Sequence, residues 1–221
     1  MNISLVTFAT EKFRANQAVL ENIATRAGWN SISYNPTKLF EIDPGFNSRP
    51  ASSIERGFGL WSWKPTIILH ELKKLDVNEV LFYLDAGDLF LPNIVDVYRS
   101  ALENQDFLLF EGGGTIREYS KRSVLKSFDF DGHRHRSKRM IEAGISFWKN
   151  SPASVEVLRD WESSCRNLSL LSDPSAEEPQ FSNFIAHRHD QSLLTLIAIK
   201  SGASVIKASK RRSFQCNVME S

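Results

Sequence analysis

The sequence predicts an α/β fold in which a mostly parallel central sheet is flanked by helices. Apolar runs of strand length alternate with segments of helical spacing through the first half of the chain, an order typical of such sheets. The first run, Ile3–Phe8, is more continuously apolar than alternating, as expected of a central parallel strand. With 221 residues, the chain suits a single domain, 1–221.

Each element of the first half has its own sequence signal. Phe13, Leu20 and Ala27 recur at helical spacing, and Gly28 stands where a helix commonly ends. Ser62 and Pro65 mark a later helix start, as N-cap and first-turn residue. The predicted order is helix 13–27, a short strand within 29–36, loop 35–53, helix 62–75, strand 80–84, helix 92–102 and strand 107–110.

The second half is less regular. The basic, polar stretch 121–139 predicts an exposed and mobile excursion, and 170–184 has the composition of a loop. The glycine run in Glu111–Thr115 lacks the Lys-Ser/Thr ending of a phosphate-binding loop and predicts a flexible lid or turn. The regular elements predicted here are strand 143–150, a helix starting near 152, a buried helix 190–200, and strand 203–209 leading into a basic tail, 207–213.

Composition excludes several classes of protein. A formal charge of +1 gives no overall attraction to nucleic acid. The two cysteines, Cys165 and Cys216, have no spacing typical of zinc or of a redox pair, which favours a reducing compartment. No apolar run approaches the ~20 residues that span a bilayer. The stretch "MNISLVTFAT" has neither the basic n-region nor the long h-region of a signal peptide, so we expect none. We therefore expect a cytoplasmic protein, with peripheral membrane contact left open.

Two carboxylates follow the apolar strand Val80–Leu84. Asp85 and Asp88 flank Ala86 and Gly87 at the point where the strand ends. Ligands of open α/β sheets bind at the carboxyl ends of strands, and carboxylates there can hold a divalent metal that neutralises a diphosphate. An ordinary turn, in which Asp88 helps to start the next helix, is the other interpretation that the residues leave open.

The segment "RGFGLWSWKP" carries aromatic and basic residues just before a helix. Trp61 and Trp63 offer faces that stack on a base or sugar ring, while Arg56 and Lys64 offer positive charge to phosphates. The alternative is that both tryptophans only fill the edge of the sheet.

The segment "HRHDQSLL" brings four polar residues to a helix start. His187 and His189 are two apart, and Asp190 and Gln191 begin the apolar helix. Asp190 could be an N-cap, an acid that meets a sugar hydroxyl, or both. His133 and His135 have no acid or cysteine at a zinc spacing, so we expect them in a solvated loop.

Taken in order, "GFGLWSWKP", "YLDAGD", "EAGISFWKNSP" and "HRHDQSLL" cover most of the chain, and the sequence resembles nucleotide-sugar glycosyltransferases of the GT-A fold, in particular bacterial or viral glycan-building enzymes. The resemblance implies a nucleotide-binding half, 1–110, and an acceptor-side half, 111–221. The family motif is usually Asp-x-Asp. Here Asp85 holds the first place, Gly87 stands at the second, and Asp88 follows one residue later.

The resemblance also implies roles for individual residues. Asp85 would contact the ribose or a Mn²⁺ or Mg²⁺ ion, and Asp88 the metal. The family's C-terminal histidine ligand is absent after His189, leaving Lys207, Lys210, Arg211 and Arg212 as candidate diphosphate partners. The implied donor contacts further include Phe8, Thr10, Arg56, Trp61, Trp63, Lys64, Ala86 and Gly87. The implied sugar or acceptor contacts are Gly144, Ile145, His189 and Gln191.

The implied reaction is transfer of a sugar from a UDP- or GDP-sugar to a hydroxyl of a glycan or lipid-linked acceptor. If the enzyme inverts, Asp190 or Glu142 is the candidate base; if it retains, the leaving phosphate takes the proton. Two alternatives remain. One is a non-catalytic nucleotide-sugar binding module; the other is a metal-dependent phosphoesterase using Asp85, Asp88, His187 and His189.

Overall fold

The computed structural model describes residues 2–77, 79–90 and 93–207, and the backbone of 214–216. The strands are β1 (Ile3–Phe8), β2 (Asn30–Tyr34), β3 (Val80–Leu84), β4 (Asp88–Phe90), β5 (Phe107–Thr115), β6 (Arg139–Ile141), β7 (Ile145–Lys149), β8 (Val205–Ile206) and β9 (Phe214–Cys216). The helices are α1 (Arg14–Arg26), α2 (Pro36–Ile42), α3 (Gly57–Leu60), α4 (Lys64–Leu72), α5 (Ile94–Asn104), α6 (Ile116–Tyr119), α7 (Arg122–Ser127), α8 (Pro152–Arg166), α9 (Leu168–Leu171) and α10 (His189–Lys200).

Strands from both halves of the chain form one seven-stranded sheet, in the order β2-β1-β3-β7-β5-β6, with β8 paired to β5. β1 pairs in parallel with β2 and β3, and β8 in parallel with β5. β7 runs antiparallel between β3 and β5, and β6 is antiparallel to β5. β4 and β9 form a separate antiparallel ribbon. The predicted α/β fold is confirmed.

Helices cover both faces of the sheet. Val80, Phe82 and Leu84 of β3 pack with α1 and α5, whereas Leu81 and Tyr83 pack with α4, α8 and α10 on the other face. Successive side chains of a strand point to opposite faces, so both sets are buried. This double burial is why β1 and β3 read as continuous apolar runs.

Two predictions in the first half are wrong in detail. The predicted loop 35–53 contains α2, whose first turn is capped by Asn35, the side chain of which accepts a 2.9 Å hydrogen bond from Lys38 N. Pro36 follows at the first helical position, where its missing N–H costs nothing. Ser62 makes no capping hydrogen bond, because the helix begins two residues later at Lys64.

Three predictions in the second half are also wrong. Glu111–Thr115 is no lid or turn, because it extends β5 along β6. The stretch 121–139 contains α7 and the start of β6, and its Val124 and Leu125 are fully buried, so it is no mobile excursion. Asp190 is not an N-cap; it lies in the first turn of α10, after His189.

The other predicted helices are confirmed. α8 starts at Pro152, where Ser151 Oγ accepts a 3.2 Å hydrogen bond from Ser154 N. The predicted helix start at Pro92 and most of the basic tail, 208–213, lie outside the described residues. Within the parts that are described, no helix has both the length and the apolar character needed to cross a membrane.

Candidate active site

An open cleft of about 980 Å³ lies at the carboxyl ends of β1 and β3. These strands are parallel, so the residues that follow them meet at one edge of the sheet. The volume is in the range of sites that bind small molecules and cofactors. The cleft is lined by Phe8, Thr10, Lys12, Phe13, 52–58, Trp61, Trp63 and 85–88.

One wall of the cleft is aromatic. Phe8, the last residue of β1, stacks on Trp63 with ring centroids 3.9 Å apart, and Phe58 lies 5.7 Å from Phe8. Trp63 is 4% exposed and donates its indole N–H to Gly57 O at 3.1 Å. Trp63 thus belongs to the core as well as to the cleft, while Trp61 is half-buried.

The turn that carries this wall is left-handed. Every residue from Gly57 to Trp61 has positive φ, at 59°, 50°, 85°, 56° and 58°. Such a conformation costs roughly 1–2 kcal/mol for each non-glycine residue. Gly57 has no alternative, because a methyl group there would lie 2.4 Å from the Trp61 ring. The sequence "GFG" therefore permits a strained turn that holds two aromatic rings at the cleft.

A guanidinium and an imidazole both lie near the Trp61 ring. The Arg56 guanidinium lies 6.0 Å from the Trp61 ring. The ring of His189 stacks on Trp61 with centroids 6.1 Å apart and an interplanar angle of 27°. The cleft wall is thereby connected to the start of α10.

Asp85 is held by three partners at the end of β3. Its backbone N–H donates to Gly144 O at 2.8 Å. Its carboxylate accepts from the Tyr83 hydroxyl, and Lys64 Nζ lies 3.1 Å from Oδ1 and 3.2 Å from Oδ2. Burial and then the charge of Asp85 raise the pKa of Tyr83 well above its usual value, so this hydroxyl donates.

Asp85 and Asp88 approach the same point above Gly144. A methyl group on Gly144 would lie 2.9 Å from Asp85 Oδ2 and 3.3 Å from Asp88 Oδ2. Only glycine leaves this space open for both carboxylates. The hydrogen bond from Asp88 N to Asp85 O, at 3.0 Å, closes the turn that brings the later acid back.

The pair fits a divalent cation as part of its ligand set. Among the described residues, no group of three or more His, Cys, Asp or Glu side chains is arranged to hold a metal. Mg²⁺ is commonly bound by one or two carboxylates that are supplemented by phosphate oxygens and water. Asp85 and Asp88 suit that mode, in which the substrate supplies the remaining ligands.

Lys64 lies beneath the cleft rather than in it. Its side chain is 3% exposed, and its Nζ lies 3.4 Å from Asp190 Oδ2 in addition to its contacts with Asp85. Burial disfavours the ammonium, but the two carboxylates outweigh this and raise the pKa of Lys64. Lys64 therefore does not line the cleft, and it links two acids; its predicted contact with phosphates stays a prediction.

Asp190 is the buried member of this group. It is 3% exposed, and burial raises its pKa to about 6, although the Lys64 ammonium opposes that shift. Its backbone carbonyl accepts a 2.9 Å hydrogen bond from Trp161 Nε1, which fixes the start of α10 against α8. Within the described residues, Asp190 Oδ2 has no hydrogen-bond partner beyond the lysine ion pair.

Glu142 and Gln191 meet at the glycine run of β5. A methyl group on Gly112 would lie 3.0 Å from Glu142 Oε1 and 3.4 Å from Gln191 Nε2. Glu142 is two residues before Gly144, the residue that Asp85 and Asp88 face. The predicted acceptor-side residues Glu142, Gly144 and Gln191 thus form one region, called the acceptor region below, beside Asp85 and Asp88.

The two histidines of "HRHDQ" are engaged with the backbone. His187 Nδ1 accepts from Lys121 N at 3.3 Å, and its Nε2 donates to Leu170 O at 2.9 Å. Burial lowers the pKa of His187 to about 3, so its ring is neutral. His189 Nδ1 donates to Leu171 O at 2.9 Å. The acid–histidine metal cluster of the phosphoesterase alternative does not form among the described residues.

The placement of the other predicted residues varies. Thr10, Arg56, Ala86 and Gly87 line the cleft as the donor-site prediction requires. The predicted sugar or acceptor contact of the Ile145 side chain is corrected, because this side chain is 1% exposed and packs with α5 on the opposite face of the sheet. Sequence reasoning missed Tyr83, which reads as one more apolar strand residue. It also missed the cleft residues Lys12, Phe13, Ser52, Ser53, Ile54, Glu55 and Phe58.

The fold is shared with several glycosyltransferase structures, although no family model and no curated protein matches the sequence. Mouse xyloside xylosyltransferase 1 has a TM-score of 0.52 at 11% identity, covering 93% of this chain and 84% of its own. A glycosyltransferase involved in glycosylation of the major capsid of PBCV-1 gives 0.52 at 15% identity, covering 94% and 82%. The bifunctional WbbM gives 0.52 at 8% identity, covering 93% and 38%. The predicted GT-A-like fold is confirmed.

Proposed function

We propose that this protein is a glycosyltransferase that moves a sugar from a nucleoside diphosphate sugar to a hydroxyl of a glycan or lipid-linked acceptor. The observation that carries the proposal is the convergence of Asp85 and Asp88 above Gly144, at the end of an aromatic cleft. The fold, shared over 93% of the chain with a xylosyltransferase structure, supports the same reaction class.

The donor lies along the cleft, with its nucleoside on the aromatic wall. Trp61, Phe58 and Phe8 offer apolar ring surface, and Arg56 brings a positive charge close to them. Aromatic faces and a nearby cation suit a base and its diphosphate. The diphosphate then points toward Asp85 and Asp88 at the far end of the cleft.

A Mn²⁺ or Mg²⁺ ion held by Asp85 and Asp88 would neutralise the diphosphate and stabilise it as a leaving group. The chain prepares this position through the ring of contacts around Asp85. Tyr83 and Lys64 orient its carboxylate from below, and the glycine at 144 keeps the space above it open.

The transfer breaks the bond between the anomeric carbon and the diphosphate oxygen, and the bonding electrons leave with the diphosphate. The acceptor oxygen bonds to the same carbon and loses its proton. With inversion, Glu142 takes this proton, because it is half-buried on the acceptor side, whereas Asp190 is buried behind Lys64. With retention, the departing phosphate takes it. In either case Asp190 is a positioning residue, because it acts on Asp85 through Lys64.

A donor-binding and hydrolysis assay tests the proposal. UDP- and GDP-sugars should raise the melting temperature of the wild type, and more so with Mn²⁺, because a ligand that binds only the folded state stabilises it. Slow hydrolysis of the correct donor should accompany the shift. Asp85→Asn should lose both, while Asp96→Asn, an exposed acid on α5, should keep both. If no nucleotide sugar shifts the melting temperature or is hydrolysed, the proposal is refuted.

A further inference from the structure

A basic loop lies beside the acceptor region. Between Gly132 and Arg139 the chain carries four lysine or arginine residues, at 134, 136, 138 and 139, and no acid, although the whole chain has a net charge of only +1. All four are exposed. The positive charge is therefore concentrated locally instead of being balanced along the segment.

The loop is anchored to the core. Phe130 is 7% exposed and meets the His135 ring edge-on, with centroids 4.8 Å apart. Arg117 donates to Asp131 O at 3.1 Å, and Ile116 N donates to Lys138 O at 2.9 Å. The cations are thus presented from an ordered surface, which lowers the entropic cost of binding an anion.

Histidines, not acids, contact two of these arginines. Arg134 Nε donates to His135 Nε2 at 2.7 Å, and Arg136 Nη1 lies 2.9 Å from His133 Nε2. An imidazole carries no negative charge that would cancel the charge of a guanidinium. Burial, and then the charges of Arg134 and Lys138, lower the pKa of His135. The arrangement therefore keeps its positive charge at neutral pH.

The loop joins the acceptor region through Arg139. Arg139 Nη2 donates to Gly112 O at 3.3 Å, and its Nε lies 3.8 Å from Glu111. Gly112 is the residue that Glu142 and Gln191 face. The guanidinium of Arg188 lies over the Tyr119 ring at 3.6 Å, and its Nη1 donates to Gly113 O at 3.5 Å. Two arginines thus contact the glycine run.

We infer that the acceptor carries an oxyanion, a phosphate or a carboxylate, which is bound by the basic loop while the acceptor hydroxyl lies at Glu142 and Gln191. This inference rests on the proposed function and specifies its substrate class. Guanidinium groups bind phosphate and carboxylate through charge-assisted hydrogen bonds, which fits an anionic sugar better than a neutral one.

Transfer to matched acceptors tests the inference. The wild type is assayed with methyl glycosides, their 6-phosphates and the corresponding uronic acids, with donor hydrolysis measured in parallel. The anionic member of a pair should be preferred, and the preference should weaken with added salt. In Arg136→Gln/Lys138→Gln the KM for the anionic acceptor should rise about 5-fold or more, with donor hydrolysis unchanged.

The control double variant is Arg26→Gln/Arg99→Gln, which removes two exposed charges from α1 and α5 on the opposite face and should leave the preference intact. The inference is overturned if neutral acceptors are used as well as or better than anionic ones, or if the KM is unchanged in Arg136→Gln/Lys138→Gln. In either case, normal donor hydrolysis would leave the proposed function standing. If the wild type hydrolyses no donor, both the inference and the proposed function are overturned.

A vesicle arm separates the acceptor from a lipid surface. The wild type is tested for binding to phosphatidylglycerol vesicles and to phosphatidylcholine vesicles. If it binds only the former, if Arg136→Gln/Lys138→Gln loses that binding, and if no soluble anionic acceptor is preferred, the loop binds the membrane and the inference is overturned. Preference for the soluble anionic acceptor without vesicle binding supports it.

Discussion

Asp85 and Asp190 both contact the ammonium of Lys64, yet their surroundings differ. The Asp85 side chain is 33% exposed at the end of the cleft, whereas that of Asp190 is 5% exposed behind the lysine. A carboxylate at the cleft can meet a ligand directly. A buried one cannot, but it fixes the lysine and is itself sensitive to pH because burial disfavours its charge.

This difference teaches that one ion-pair chain serves two purposes. In the proposed function, the cleft-facing part, Asp85 with Asp88, would hold the cation that neutralises the diphosphate. The buried part, Lys64 with Asp190, holds Asp85 in orientation and joins it to α10. Variants of the two parts should therefore have different effects. A variant at the cleft should lose activity, and a variant at the buried pair should change how stability depends on pH.

The largest expected effect is that of Asp85→Asn on activity. Losing the carboxylate that is proposed to hold the cation at the diphosphate should reduce kcat/KM for donor hydrolysis by roughly 100-fold to 1000-fold. The melting temperature should change little, because Lys64 keeps its contact with Asp190. Circular dichroism melts and steady-state rates, with Asp96→Asn as control, check both parts. Wild-type rates in Asp85→Asn would contradict the assignment.

Asp190→Asn should change how stability depends on pH. Because the pKa of Asp190 is raised in the folded state, its contribution is fully present below about pH 4 and is lost as pH rises through about 6. A shift from 3.8 to about 6 corresponds to about 3 kcal/mol. The free energy of unfolding of the wild type, relative to Asp190→Asn, should therefore fall by about 3 kcal/mol between pH 4 and 7.

Urea titrations of both proteins at several pH values measure this difference. Parallel curves for the wild type and Asp190→Asn would show that Asp190 titrates normally. Donor hydrolysis followed over the same range gives a second readout, because protonation of Asp190 removes one partner of Lys64 and should lower the rate below pH 6. Asp190→Asn should lack that decline.

Gly57→Ala should strain the cleft wall. Its φ of 59° disfavours any side chain, and the added methyl group would lie 2.4 Å from the Trp61 ring. We expect a loss of about 1–3 kcal/mol of stability, together with weaker donor binding. Gly45→Ala is the matched control, since its φ is −78° and the nearest atom is 3.8 Å away. Equal melting temperatures for the two variants would contradict the strain predicted for Gly57→Ala.

Trp61→Leu should have the smallest effect. The aromatic contribution of such a ring to binding is about 0.5–1.5 kcal/mol, which corresponds to roughly 2-fold to 10-fold weaker donor binding. Trp29→Leu, on the opposite face against Phe90, should reduce stability without changing donor affinity. Titration calorimetry compares the two, and equal losses of affinity would argue against a donor at Trp61.

Local patterns predicted much of the fold because their causes are local. Ile3–Phe8 and Val80–Leu84 are apolar since both faces of the sheet are covered, and α8 begins where Ser151 and Pro152 place it. The helix within 35–53 was missed, because Asn35-Pro36 is as typical of a turn as of a capped helix start.

The sequence by itself determined the strand-end acids, the glycine-aromatic segment and the order of elements, since each depends on neighbours within a few residues. Tertiary structure decided that Lys64 is buried between Asp85 and Asp190, which are 105 residues apart in the chain. It also decided that Gly144 leaves room for both Asp85 and Asp88. Burial and convergence arise from packing between distant segments, and no local spacing encodes them.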